Sequence, residues 1–409
     1  MRQEPQAASV GGGATGVSTA VWHLPADTEP QERLWMSFPR DYARMGTTTW
    51  ELSGARRAWS RVAHAVMDYQ PVTLLVDPAD RQIVHTYVDP MIPVVPVAMD
   101  NPFLRLTGPT FTTGAVITEG RGRAQHRGVD RGDDPWADRG RGNGAGGAGG
   151  GGAGGGGAGA HGAGRRQLGM IDWVFNGFGR RPGLEYRLDD VTGGTIAELT
   201  GADRQLSLMV NEGGAFITDG EGTLIASESV LLDPSRNGGW TREHIEAEFT
   251  RYTDIRKIIW LPSGLTRDSG PFGVGAQIDQ LVAFASPTVV LLHWQENPAH
   301  PDHEVSMRTL NVLQNETDAR GRPLNVATVT APLAGQDDRG PLSWSYVNVL
   351  PVNGAVVVPS FEDPHDDGAH QLLQAAYPGR KVVPIPAQRL YRRGVGIRQV
   401  ALPQPSRQA

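Results

Sequence analysis

The side chains best able to do chemistry here are defined partly by a gap: the chain carries 44 Asp and Glu, 38 Lys and Arg and 11 His, but no Cys. Disulfides, thiolate metal sites and a cysteine nucleophile are therefore excluded. His300 and His303, in the stretch HPDH, lack a convincing metal-ligand spacing and read as loop residues, so neither a metal nor a cofactor is expected. No GxGxxG or P-loop marks a nucleotide site. The net charge of −6 mildly favours cationic ligands over nucleic acid. Near its end the chain reads RRGVGIRQVALPQP (392–405), a glycine-spaced turn entering a short apolar strand, with Gln399 between them.

The elements that must position such groups alternate. PVTLLVDP, IPVVPVAM, KIIWLP, TVVLLHW, LNVATVTAP, AVVVPSF and KVVPIP are short β-branched runs bounded by Pro, Gly or Asp, which predicts buried strands. Between them lie helical patterns. In DDGAHQLLQAAYPG, Ala369, Leu372, Leu373, Ala376 and Tyr377 share one face, with Asp366 as the expected N-cap. ARRAWSRVAHAVMDY repeats the pattern through Trp59, Val62, Val66 and Tyr69, and TREHIEAEF through Ile245 and Phe249 behind Thr241. ITDGEGTLIASES predicts a hairpin. Strand and helix units recurring in this way imply an α/β fold, and periodicity leaves a doubly wound sheet and a radial array of repeats equally open.

Three regions divide the chain. Residues 1–25 are expected to be a disordered tail and 26–405 the folded body, with a flexible Arg/Gly/Ala-rich insertion at 120–166 inside it. The insertion's composition cannot bury enough apolar surface to offset its ordering entropy. Its arginines resemble RNA-binding arms, but Trp136 is the lone aromatic and Asp130, Asp133, Asp134 and Asp138 offset half of them, so the composition argues against nucleic acid. An interaction arm is the alternative use. With no secretory h-region and no run of 18 apolar residues, a cytoplasmic protein without membrane attachment is expected.

Seven stretches together resemble the agmatine deiminase family, the bacterial-type peptidylarginine deiminase group of the guanidino-modifying superfamily. They are ERLWMSFPR (32–40), FLRLTGPTF (103–111), DWVFNGFG (172–179), NEGGAFITDGEGTLIASESVLLDPSRN (211–237), GAQIDQLVAF (275–284), NGAVVVPSFEDPHDD (353–367) and YPGRKVVPI (377–385). The resemblance implies a five-bladed α/β propeller of the pentein type with its site on the central axis. It also implies deimination: a thiolate attacks the guanidinium carbon, carboxylates hold the guanidinium nitrogens and a histidine shuttles protons.

This sequence departs from the family at the positions that carry that chemistry. Leu106 follows Arg105 where the family has Asp. In GVGAQID, Gly273 replaces an Asp and Gln277 the His, while Asp279 is kept. In RGVGIRQ, Arg398 stands for the family's His and Gln399 for its nucleophilic Cys. A glutamine amide is a weak nucleophile because its nitrogen lone pair is delocalised. The expectation is a family member that has lost deimination and binds an amine or guanidino compound, or an active subunit of its own kind, through the retained Glu212, Asp279 and Arg105. Two alternative roles stay open for the carboxylates: Glu212 as a turn cap, and Asp279 in a structural bridge to Arg398 or Arg105. The competing expectation is an active hydrolase of agmatine or arginine-type guanidino groups, as in putrescine biosynthesis, that works without Cys by having Asp279 or Glu212 activate water. A homo-oligomer is compatible with either.

Overall fold

A computed structural model describes residues 22–40, 45–46, 48–117, 165–270, 273–333, 335–338 and 340–408. The chain repeats one connection: two antiparallel strands, a helix, and a third strand that returns parallel to the second. The first sheet holds β1 (Gln31–Ser37), β2 (Val72–Val76) and β3 (Val94–Pro96), and the helix Thr49–Met67 crosses from β1 to β2. The second holds β4 (Thr110–Ile117), β5 (Arg165–Val174) and β6 (Asp203–Val210), and the third β7 (Phe216–Thr218), β8 (Thr223–Ser227) and β9 (Lys257–Leu261). The fourth contains β10 (Val282–Ser286), β11 (Val289–Trp294) and β12 (Asn325–Thr330). After a small hairpin, β13 (Gln336–Asp337) and β14 (Gly340–Pro341), comes the fifth: β15 (Leu350–Val352), β16 (Ala355–Ser360) and β17 (Lys381–Pro386). The last strand, β18 (Ala401–Pro405), returns to pair antiparallel with β1, so the first sheet also has its antiparallel pair.

All seven apolar runs form strands, but only those inside a sheet are buried: Val356, Val357 and Val358 of β16 have no exposed surface, whereas β3, β12 and β17 lie at sheet edges and are largely half-buried or exposed, contrary to the expectation of buried strands. The helix over 49–67 begins at a capping box in which Glu51 N donates to Thr48 Oγ1 at 3.2 Å and Thr48 N donates to the Glu51 carboxylate at 3.2 Å. It buries Ala55, Ala58, Trp59, Val62 and Val66, the face its spacing predicts. The helix over 366–376 departs in detail. His365 occupies the cap position, and Asp366 inside the first turn accepts from Phe361 N and Glu362 N and from the hydroxyls of Ser360 and Tyr346. Its carboxylate ties the helix to the end of β16 instead of capping the helix.

The folded body starts before residue 26. Trp22 and Leu24 are buried, His23 exchanges both backbone hydrogen bonds with Thr113, and Asp254 N donates to Trp22 O. The remainder of the expected tail, 1–21, and the insertion between 120 and 164 lie outside the described residues, whereas Arg165 and Arg166 already belong to β5. No helix among the described residues is long and apolar enough to cross a membrane.

Candidate functional site

The turns that lead into the first strand of each sheet meet one another. Leu106 lies four residues before β4, Glu212 four before β7, Asp279 three before β10, Asn348 two before β15 and Gln399 two before β18. All five are buried. Glycines let the turns approach closely: a methyl on Gly213 would lie 2.2 Å from the Arg105 carbonyl oxygen. One on Gly214 would lie 2.9 Å from Leu106 Cδ2, 3.0 Å from Gln277 Oε1 and 3.1 Å from Asp279 Oδ2.

Gln399 is fully enclosed and hydrogen-bonded at both ends. Its Nε2 donates to Asp279 Oδ1 at 2.8 Å, and its Oε1 accepts from Gly396 N at 2.8 Å and Gln280 Nε2 at 3.1 Å. Arg398 reaches the same carboxylate from the other side, Nη1 to Asp279 Oδ2 at 3.1 Å, and also donates to the Gly213 carbonyl at 2.9 Å. Asn348 locks the turn by accepting from Arg398 N at 2.9 Å and donating to Asp279 O at 2.8 Å. Of the two partners the sequence leaves open for Asp279, the structure selects Arg398. Burial pushes the Asp279 carboxyl up to about 6, against the downward pull of Arg398 and Arg105.

Glu212 is engaged in the same manner. Arg236 grips it with two nitrogens, Nε at 2.7 Å and Nη2 at 3.1 Å, and Gln277 Nε2 donates to Glu212 Oε2. Gln277 and Arg236 also both donate to the Val274 carbonyl. The loop carrying them is shaped by Asp268, whose carboxylate accepts from Val274 N and Gln277 N, each at 2.7 Å. Gly273 flanks this cluster. A methyl there would strike the Asp268 carbonyl oxygen at 1.9 Å, so the local backbone has no room for a side chain.

Arg105 donates to the N-terminal segment while still lying close enough to Asp279 to lower its pKa. Its Nη2 donates to Asp27 Oδ1 at 2.6 Å, and Arg398 Nε donates to Asp27 Oδ2 at 2.6 Å. Two guanidiniums thus hold opposite oxygens of one carboxylate. Burial would raise Asp27, but the two arginines outweigh it and hold it well below the usual carboxylate range. His300 caps the helix Pro301–Gln314 by accepting from Asp302 N at Nδ1, and His303, expected in a loop, lies in the first turn of that helix, where its Nδ1 donates to the Gln295 carbonyl at 2.7 Å.

Residues 23–405 match the profile of the Porphyromonas-type peptidyl-arginine deiminases. The chain belongs to that family. It is 34% identical over 386 residues to a putative agmatine deiminase of Streptomyces coelicolor, covering 94% of this chain and 99% of the relative. It is 31% identical over 410 residues to the agmatine deiminase of Pseudomonas savastanoi pv. phaseolicola, covering 94% and 96%. Solved structures share the mixed α/β fold: the agmatine deiminase of Enterococcus faecalis at TM-score 0.77 and 23% identity (94% and 96% covered), and a putative arginine deiminase from Porphyromonas gingivalis at 0.71 and 21% (94% and 98%).

In this deiminase-family chain the motif comparison singles out Leu106, Glu212, Gln277, Asp279 and Gln399, and the fold gathers them, with Arg105 at the edge. It misses Asp27, Arg236, Gln280 and Asn348, which supply their partners. Asn348 alone had a local signal, a polar residue just ahead of an apolar strand as in three of the other four sheets.

Proposed function

We propose that this family member no longer hydrolyses guanidino groups and serves as a binding protein on the deiminase scaffold. Its five sheets would be the blades of a five-bladed α/β propeller, with the converging turns on its axis. The observation that carries the reading is Gln399, at the family's nucleophile position, with its amide spent on Asp279 and on two donors of its own. No thiol exists in the sequence to replace it. An amide cannot open the covalent route, and losing an acid/base group alone typically costs about 10²–10⁴ in rate. The two carboxylates suited to a guanidinium are each already paired with an internal arginine. Incubation with agmatine and with free arginine, followed by ammonia and ureido-product detection, is expected to give no turnover above background. Turnover at an ordinary enzymatic rate would overturn the reading.

A second reading, hydrolysis by activated water, has one observation in its favour: Asp279, pushed up to about 6 by burial, can exchange a proton near neutral pH. The names of the relatives agree with it. Any agmatine turnover that Asp279→Asn abolishes belongs to this second mechanism.

A further inference from the structure

The polar centre is built to hold a carboxylate, and in this structure the carboxylate comes from the chain itself. Arg105 and Arg398 donate to opposite oxygens of Asp27, both at 2.6 Å. Arg398 keeps its orientation independently of Asp27, because its Nη1 is tied to Asp279 and to the Gly213 carbonyl. Were Asp27 to swing out, two guanidiniums would face Asp279 alone, leaving one uncompensated positive charge among buried groups. That charge calls for an anion, and a planar carboxylate matches the geometry Asp27 already displays.

The surroundings give the size and character of the remainder of such a ligand. A cavity of about 40 Å³ lies on one side of the clamp, with Leu24, Phe111, Phe216 and Leu402 among its walls. Another of about 20 Å³ lies on the other, walled by Ile217, Phe284, Val349 and Tyr377. Asp27, Ile217, Thr218 and Arg398 line both, so each cavity borders the clamp. It is also the most exposed member of the clamp, at 22% against 11% for Arg105 and 5% for Arg398, which opens a route from solvent.

We propose that this site binds a short aliphatic monocarboxylate, which displaces Asp27 from Arg105 and Arg398 and extends its alkyl end into the apolar cavities beside the clamp. The inference rests on the reading that the centre no longer takes a guanidinium substrate. Asp27 acts as a tethered competitor, so removing it raises the apparent affinity by the reciprocal of the fraction of molecules in which it has vacated the clamp.

The experiment is thermal unfolding of the full chain titrated with sodium butyrate, with n-butylamine hydrochloride and sodium chloride at matched ionic strength as comparators. In the wild type, butyrate is expected to raise the melting temperature saturably below about 100 mM while the comparators do not. Asp27→Ala should bind butyrate at least about tenfold more tightly, and Arg105→Met should not bind it. The proposal is overturned if the wild type shows no saturable butyrate shift, if a folded Asp27→Ala binds no more tightly than wild type, or if butylamine stabilises equally. Should Asp27→Ala not fold, the wild-type titration still decides. Failure here leaves the absence of deimination standing, and agmatine turnover would refute that absence without affecting butyrate binding.

Discussion

Titrating His23 should loosen the N-terminal segment as pH rises through neutrality. The imidazole sits between two carboxylates, Nδ1 2.8 Å from Asp254 and Nε2 2.9 Å from Glu29, and both nitrogens can donate only when the ring is protonated. Burial alone would lower it, but hydrogen bonds and charge from Asp254 and Glu29 raise it from 6.5 to about 9. Between those values the folded state holds a proton that the unfolded state has released. The contribution is therefore fully present below pH 6.5 and is lost as pH rises through 9. At about 1.4 kcal/mol per pH unit the rise corresponds to about 3 kcal/mol, which solvent screening of this partly exposed ring reduces to about 1–2 kcal/mol. Asp189, pushed up to about 7 by burial, also costs stability as pH rises, so the His23 contribution is read as the difference between wild type and variant. Urea unfolding followed by tryptophan fluorescence from pH 6 to 10 should show stability falling by at least that amount between 6.5 and 9.5. His23→Gln should be less stable at pH 6 and lose less stability than the wild type between 6.5 and 9.5. An equal slope in His23→Gln, or stability that climbs with pH, would refute the assignment.

Two further outcomes follow from the buried pairs. Arg236→Met leaves Glu212 enclosed without its cation and should cost about 3–5 kcal/mol in urea unfolding, much of which the double variant with Glu212→Gln should recover. Gln399→Cys should supply a thiol but no ammonia release from agmatine, because Gln277 and Arg398 still stand where the family places imidazoles and Asp279 stays paired; measurable turnover by that single variant would contradict this account.

Seven strands, one hairpin and three helices were legible because each has a local cause, whereas β5, β6 and the helix Pro301–Gln314 were not. Three consecutive valines, Val356 to Val358, expose apolar side chains to both faces of a strand and so call for cover on both, and the heptad-like spacing of Trp59, Val62 and Val66 fixes one helix face. The family-position residues were legible for a different reason, since motifs preserve order along the chain. Their partners were not legible. Whether Asp279 meets Arg398 or Arg105, and whether Arg236 reaches Glu212, depends on loop paths set by tertiary contacts such as Asp268 on Val274 and Gln277. Asp366 shows the same limit on a smaller scale: the residue type suits a cap, but the end of β16 offers its carboxylate more donors than the helix does.

The pairing of β18 with β1 also has a temporal meaning. Asp27 and Arg398 are separated by 371 positions, and the first sheet lacks its outer strand until Ala401–Pro405 has been made. At a synthesis rate of about 5–20 residues per second, an N-terminal segment emerging from the ribosome waits roughly 20–75 s for the arginine that completes its clamp. The centre of this protein is thus among the last parts of the fold that synthesis can complete. A chain that stops a dozen residues short would lack both the closing strand and the polar heart at once, and would present the open edge of β1 to other chains.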